Sequence, residues 1–434
     1  SVKDYFLAQS DGRFDLTFDV EGPYMMPSNY EYYGKNYETK TIEMVRECVK
    51  QAHNEGVNMA KYDWYNSGDV DLVYVLYAGY GQATSTDKNS IWPHASRGQL
   101  IDTYDGKQML QYACSNEIDQ IKDNDTNANL ISGIGTICHE FSHCLGFPDY
   151  YDVDYSGAYG MGSWDIMSSG SYNENSFRPA NYTAYEKWVA GWLTPVELGS
   201  EDKQIDNVKP TSQGGNAYIM YNDAHRNEFY IMENRQRTGW DAALSGSGLL
   251  ITHVDYDEDV WNMNKPNDDP GHQRCTIAPA DGTLSKYTEQ GDCFPYGSRN
   301  RFVYTSSPKP FLYNQNTDGT FMLNHGLTDI KRNSDGTVSF MFLSNTKPAE
   351  PTTKTETVMH ESFDKCKGRG GMGAWGSQTS SAFNTDLKWT LGLDANAFGG
   401  NKCALFGEKN YNPTFTSPSF TLNGDKATIT IKVA

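Results

Sequence analysis

Apolar and polar positions alternate from residue 14 to residue 20, the period of two expected of a half-buried strand. Across residues 41–53 the period changes: Ile42, Val45, Cys48 and Val49 recur at helical spacing, which predicts a helix. A nearly continuous apolar run over 71–77, closed by Ala78-Gly79, reads as a buried strand. Strand, helix and strand in that order predict a layered start that mixes α and β elements. The next helix is predicted over 131–145, where Ile134, Ile137, Phe141 and Leu145 are spaced to face a core and Gly146 stands where a helix often stops. A further helix is predicted over 180–192. Short strands punctuated by Gly, Asn and Asp follow, among them 229–232 and 248–254, so a β-rich region is expected there.

Residues 344–358 are polar, carry Pro348 and Pro351 and lack apolar periodicity, so they read as an interdomain linker. A small β module is expected beyond it. Its last stretch, 427–434, alternates like a strand with no turn after it, from which that module is expected to be cut short. A chain of 434 residues exceeds one ordinary core, and two or three domains are expected. The formal charge of -19 disfavours partners that need a positive field, so neither nucleic acid nor insertion into an anionic membrane is expected. No apolar run approaches the roughly 18 residues of a spanning helix, and the residues after Ser1 are not those of a signal peptide, which suggests a mature or trimmed form. Eight cysteines permit several bridges in an oxidising compartment without forming a disulfide scaffold.

The chemistry gathers on the helix over 131–145. His139-Glu140-Phe141-Ser142-His143 places two imidazoles four residues apart, on one helix face, where both can grip one cation. Gly146 lets the chain reverse, and Asp149 is spaced to return a third ligand, leaving a fourth position for water, as a catalytic zinc requires. Water on such a zinc has its pKa lowered from about 15.7 to about 7, and Glu140 is placed to take its proton and pass it to a leaving amine. Asp152 and Asp154 are an alternative source of the third ligand or a place for another cation; Asp149 has the better spacing.

His139-Glu140-x-x-His143-x-x-Gly146-x-x-Asp149, with Met167 downstream in Trp164-Asp165-Ile166-Met167, resembles the metzincin-like zinc peptidases with Asp in place of the third His. The surroundings narrow the resemblance to secreted bacterial immune-inhibitor-A-like metallopeptidases. They include Phe14-Asp15-Leu16, Gly22-Pro23, Tyr33-Gly34, 71–79, Ile91-Trp92-Pro93-His94, Leu145 to Asp149, Glu186-Lys187, Gly191-Trp192 and Glu233-Asn234-Arg235. The resemblance implies an α+β fold: a metzincin-like catalytic core over 1–195, with the cleft between an upper mixed-sheet part and a lower part and zinc at its floor, and a β-rich continuation over 196–343. It implies one catalytic zinc held by His139, His143 and Asp149, with Glu140 as general base and acid and Met167 as the Met-turn support. It also implies a secreted endopeptidase, made as a precursor with signal and propeptide, acting as a monomer on protein or peptide substrates, host proteins among them. Residues 359–434, with Phe363-Asp364, the glycine-rich 368–375 and Cys403 to Phe406, resemble part of the jelly-roll β-sandwich modules appended to such peptidases.

Other residues have quieter readings beside functional ones. His253 and His94 are read as structural, a core strand histidine and a loop histidine, although either could face the cleft. Residues 63–71 set Asp63, Asp69 and Asp71 around Gly68 as a calcium loop does, but Tyr65 stands where an oxygen ligand belongs, leaving calcium as a secondary candidate cofactor. Tyr172 could serve an oxyanion, though with 29 tyrosines its position reads as coincidence. Cys138 and Cys144 point to different sides of a helix and are not expected to pair with each other; free thiols or a bridge to Cys114 are open, and Cys366–Cys403 is the favoured bridge. Two rival functions are an adhesin-like protein with a peptidase-shaped core, against which the intact Glu140 argues, and a zinc hydrolase of non-peptide substrates, against which the wider resemblance argues.

Overall fold

The apolar stripe expected over 41–53 lies on the helix Tyr37–Asn54, whose Ile42, Met44, Val45 and Val49 are buried in one cluster with Val75, Tyr77, Met109 and Tyr112 of a sheet. The structure, a computed structural model, describes residues 1–35, 37–122, 127–349, 390–391 and 415–416. The long strand Lys107–Lys122 is the axis of this sheet. Asp69–Val70 and Val73–Tyr80 pair with it in parallel, His94–Tyr104 and Asn127–Ile131 antiparallel, so that Cys114 stands between Val75 and His94.

A second sheet is ordered Cys275–Ile277, Gly248–Asp255, Glu228–Arg235, Tyr218–Tyr221, Val196–Glu197. Its two long strands are buried at every residue, which is why they read as apolar runs rather than as alternation. The period of two sorts their side chains between two cores. Tyr230, Met232, Leu249 and Ile251 face a three-stranded sheet of Lys203–Val208, Gly326–Arg332 and Val338–Leu343, with Ile205, Phe340 and Phe342. Phe229, Ile231, Leu250 and Val254 join the core that also holds Cys138, Trp164, Ile166 and Met167. The protein is therefore a mixed α/β molecule with several sheets.

Three expectations change. Residues 14–20 form no strand: Phe14 stacks on Trp192 and meets Phe6 and Phe141, while Phe18 and Val20 are exposed, so their alternation does not mark one buried face. The preceding helix Val2–Gln9, opened by a capping box between Ser1 and Asp4, buries Tyr5, Phe6 and Gln9 and is not among the predicted elements. The helix predicted over 131–145 is Gly135–Cys144, residue 131 ending a strand instead, and that over 180–192 is Ala184–Val189, capped by Thr183 and Glu186.

The chain divides into two units, Ser1–Pro348 and Ala349–Ala434. In the second, Thr390–Leu391 pairs antiparallel with Phe415–Thr416. Most of the expected linker, the β-sandwich, the strand over 427–434 and the Cys366–Cys403 bridge lie outside the described residues. Among the described residues no helix is long and apolar enough to cross a membrane.

Candidate metal centre

The helix Gly135–Cys144 is fixed at both ends by glycine. A Cβ on Gly135 would lie 1.8 Å from the Ser171 carbonyl oxygen, so the turn Ser169–Tyr172 approaches the helix start as close as backbone permits. Gly146, at φ +105°, takes the left-handed turn that ends the helix and sends the chain back toward it. His139 and His143 leave one face, and Asp149 returns to them. The ligand atoms of the three lie within 4.8 Å of one another, the one such cluster of three or more His, Cys, Asp or Glu among the described residues.

With both imidazoles neutral, the donors and acceptors of this cluster do not match as hydrogen bonds. His139 Nδ1 lies 2.8 Å from the Ile166 carbonyl oxygen, and His143 Nδ1 lies 2.8 Å from that of Phe147. A carbonyl oxygen only accepts, so each Nδ1 carries its hydrogen, and in the neutral rings both Nε2 atoms present lone pairs. They face Asp149 Oδ1 at 3.1 and 3.3 Å, and that oxygen is buried without a hydrogen-bond partner. Three converging lone pairs with no hydrogen among them are what a bound cation would reconcile. Burial disfavours charge on the imidazoles, yet the Asp149 carboxylate outweighs it: both are raised, His143 to about 9. Asp149, despite its own burial, is held well below the carboxylate range by the two histidines. Protons and a cation thus compete for the same lone pairs.

Asp149 is held from behind by Asn264, which donates to Oδ2 at 2.7 Å and accepts from the Asp149 N–H at 2.6 Å. Glu140 is buried on the same helix outside the three-atom cluster. Burial raises its carboxyl, opposed by His139 and His143. Met167 lies wholly buried next to Ile166, its carbonyl accepting from the Tyr150 N–H at 2.8 Å. Tyr172 ends the turn Ser169–Tyr172 with its ring half exposed. Tyr151, which the sequence did not single out, stacks its ring on His139 with centroids 6.5 Å apart.

The remaining candidates serve the scaffold. His253 lies between Tyr230 and Tyr313 and contacts Glu228 at 2.9 Å. His94 bridges the Trp92 carbonyl and the Tyr112 hydroxyl, each at 2.8 Å. Asp63 takes Lys107 at 2.6 Å and the N–H groups of Ser67 and Gly68, so a lysine and a turn already occupy the leading carboxylate of the calcium candidate. Asp154 pairs with Lys265 at 2.7 Å, and Asp152 accepts from Ser156, Gly157 and Ala158; neither joins the two histidines. Cys48, Cys114, Cys138, Cys144, Cys275 and Cys293 are free thiols, which removes the bridge to Cys114.

Residues 1–199 match the family described as immune inhibitor A peptidase M6, catalytic domain. Immune inhibitor A of Bacillus thuringiensis subsp. alesti is 25% identical over 244 residues, 46% of this chain and 34% of its own. The pre-pro-metalloprotease PrtV of Vibrio cholerae serotype O1 (strain M66-2) is 26% identical over 217 residues, 44% of this chain and 23% of its own. The chain therefore spans 34% and 23% of the lengths of these relatives. No solved structure matches it.

Proposed function

We propose, from the premise that this chain is an immune-inhibitor-A-like metallopeptidase over residues 1–199, that it is a secreted zinc endopeptidase cutting protein substrates. His139, His143 and Asp149 are the zinc ligands in this reading, and Glu140 is the general base and acid. The observation that carries it is the buried meeting of two histidine lone pairs with an oxygen of Asp149 that takes no hydrogen bond.

Zinc held there supplies Lewis acidity toward the scissile carbonyl and makes water acidic enough to attack at neutral pH. The chain does the rest. The Ile166 and Phe147 carbonyls fix the tautomer and aim of each imidazole, and Asn264 fixes the carboxylate. Glu140, outside the ligand set, takes a proton from the attacking water and returns it to the leaving amine; burial raises its carboxyl and so makes it a better proton acceptor than an exposed one. Met167 supports the site from below as a Met-turn, in a metzincin-like layout whose upper part is the sheet built on Lys107–Lys122. A signal and propeptide removed before activity, a monomeric enzyme, host proteins as substrates and a jelly-roll accessory module over 359–434 complete the proposal.

Metal removal tests it. Dialysis against a zinc chelator is expected to abolish hydrolysis of an unfolded protein substrate, and about one equivalent of zinc to restore it. Full activity in the metal-free protein would refute the assignment.

A further inference from the structure

Asp165 and Glu186 are both fully buried, one at the head of the turn that carries Ile166 and Met167, the other in the helix Ala184–Val189. Asp165 Oδ1 accepts from the Met167 N–H at 2.6 Å. Glu186 Oε2 accepts from the Thr183 N–H at 2.6 Å and the Thr183 hydroxyl at 3.0 Å. The second oxygens, Asp165 Oδ2 and Glu186 Oε1, are buried with no donor, and each carboxyl perturbs the other, so that a hydrogen bond between them would satisfy both. Two carboxyl oxygens can form that bond when one carries a proton, and two buried carboxylates side by side cannot both stay ionised.

Nearby cations do not relieve the pair. Arg235 gives Nε and Nη2 to Asp241 at 2.8 and 2.6 Å, and its Nη1 lies 3.6 Å from Glu233. Lys187 is buried on the helix of Glu186, and burial lowers its pKa. His139 reaches Asp165 only as a distant charge. The other titratable groups around the pair, Tyr5, Tyr150, Tyr182 and Cys275, are raised chiefly by burial, with one or both of these carboxyls among the further causes, and stay neutral.

We propose that Asp165 and Glu186 share one proton and together act as a positioning pair for His139, locking the turn whose Ile166 carbonyl aims the imidazole. The positioning half rests on the metal-centre reading; the shared proton does not. The pair carries one negative charge, held on Asp165 and Glu186 jointly. The path is short: Glu186 to Asp165, Asp165 to the Met167 N–H, and Ile166 between them to His139 Nδ1.

Amide substitutions separate this from a plain structural role. In Glu186→Gln the amide donates to Asp165, and in Asp165→Asn it donates to Glu186, so each single variant keeps the bridge. The double variant sets two NH2 groups against each other. Unfolding temperature is measured for the wild type, the two single amides, the double amide and Glu186→Ala, and zinc affinity by competition with a chelator and kcat for the same five well below those temperatures. Each single amide is expected to stay within about threefold of the wild type in zinc affinity and kcat, whereas Glu186→Ala and the double amide lose about 10- to 100-fold. Single amides as damaging as the double, a double equal to the wild type, or a double that loses stability with unchanged zinc affinity and kcat would each overturn the proposal. Should the double fail to fold, the wild type and Glu186→Gln are compared across pH. The folded pair holds a proton that the unfolded chain releases above about pH 4, so wild-type stability falls as pH rises through the raised range, and Glu186→Gln falls less steeply by the pair's share. Equal pH slopes would overturn the shared proton. If the wild type itself binds no zinc, the metal reading fails while the unfolding temperatures of the five proteins still report on the proton.

Discussion

Asp149 Oδ1 faces two imidazole nitrogens that, in the neutral rings, bear no hydrogen because their Nδ1 atoms donate to carbonyls. Asp149→Asn tests this at the scale of one atom. The amide can turn its N–H toward a histidine lone pair and satisfy part of the cluster without a cation. It is expected to fold normally and to bind zinc at least about tenfold more weakly in a chelator competition, since a neutral amide is a poor zinc ligand. Unchanged affinity would remove Asp149 from the ligand set. The convergence of His139, His143 and Asp149 was legible because eleven consecutive positions of sequence hold them and Gly146 makes the reversal. Asn264 was not, because it comes from 115 residues away and no spacing links it to Asp149. Tyr151 was likewise illegible, since its stacking on His139 depends on a loop path.

At the scale of elements, the helix Gly135–Cys144 and the turn Ser169–Tyr172 are fitted to each other. Gly135→Ala places a methyl 1.8 Å from the Ser171 carbonyl oxygen, and backbone on both sides must move. A loss of about 1–3 kcal/mol in urea unfolding is expected, with activity falling further than stability because Glu140 rides on the displaced helix. Helices with strong stripes and fully buried strands were readable: 41–53, 229–232 and 248–254 all fall inside elements of the expected type. Residues 14–20 misled because Phe14 at their start packs on Phe6, Phe141 and Trp192, while the later apolar members Phe18 and Val20 are exposed. The helix Val2–Gln9 carried a readable signal in Ser1 and Asp4, whose spacing is that of a capping box. Strand pairing had no such signal, since partners such as Val254 and Cys275 meet through the fold alone.

For the molecule as a whole, buried acids make stability depend on pH in an unusual sense. Asp292, beside Trp164 under the metal-site turn, is raised to about 8, first by burial and then by Glu289 and Asp281. A raised folded-state pKa gives stability that is complete below the unfolded value, about pH 4, and is lost as pH rises through about 8. The unfolding temperature is therefore expected to drop between pH 6 and pH 9, and Asp292→Asn to flatten that drop; identical profiles would count against it. The measurement closest to the central proposal compares zinc content and hydrolysis of an unfolded protein by the wild type and Glu140→Ala. About one zinc per chain in both, with activity in the wild type alone, is the expected result, because Glu140 moves the proton and lies outside the ligand set. Substantial hydrolysis by a zinc-loaded Glu140→Ala, or no zinc in a folded wild type, would contradict it.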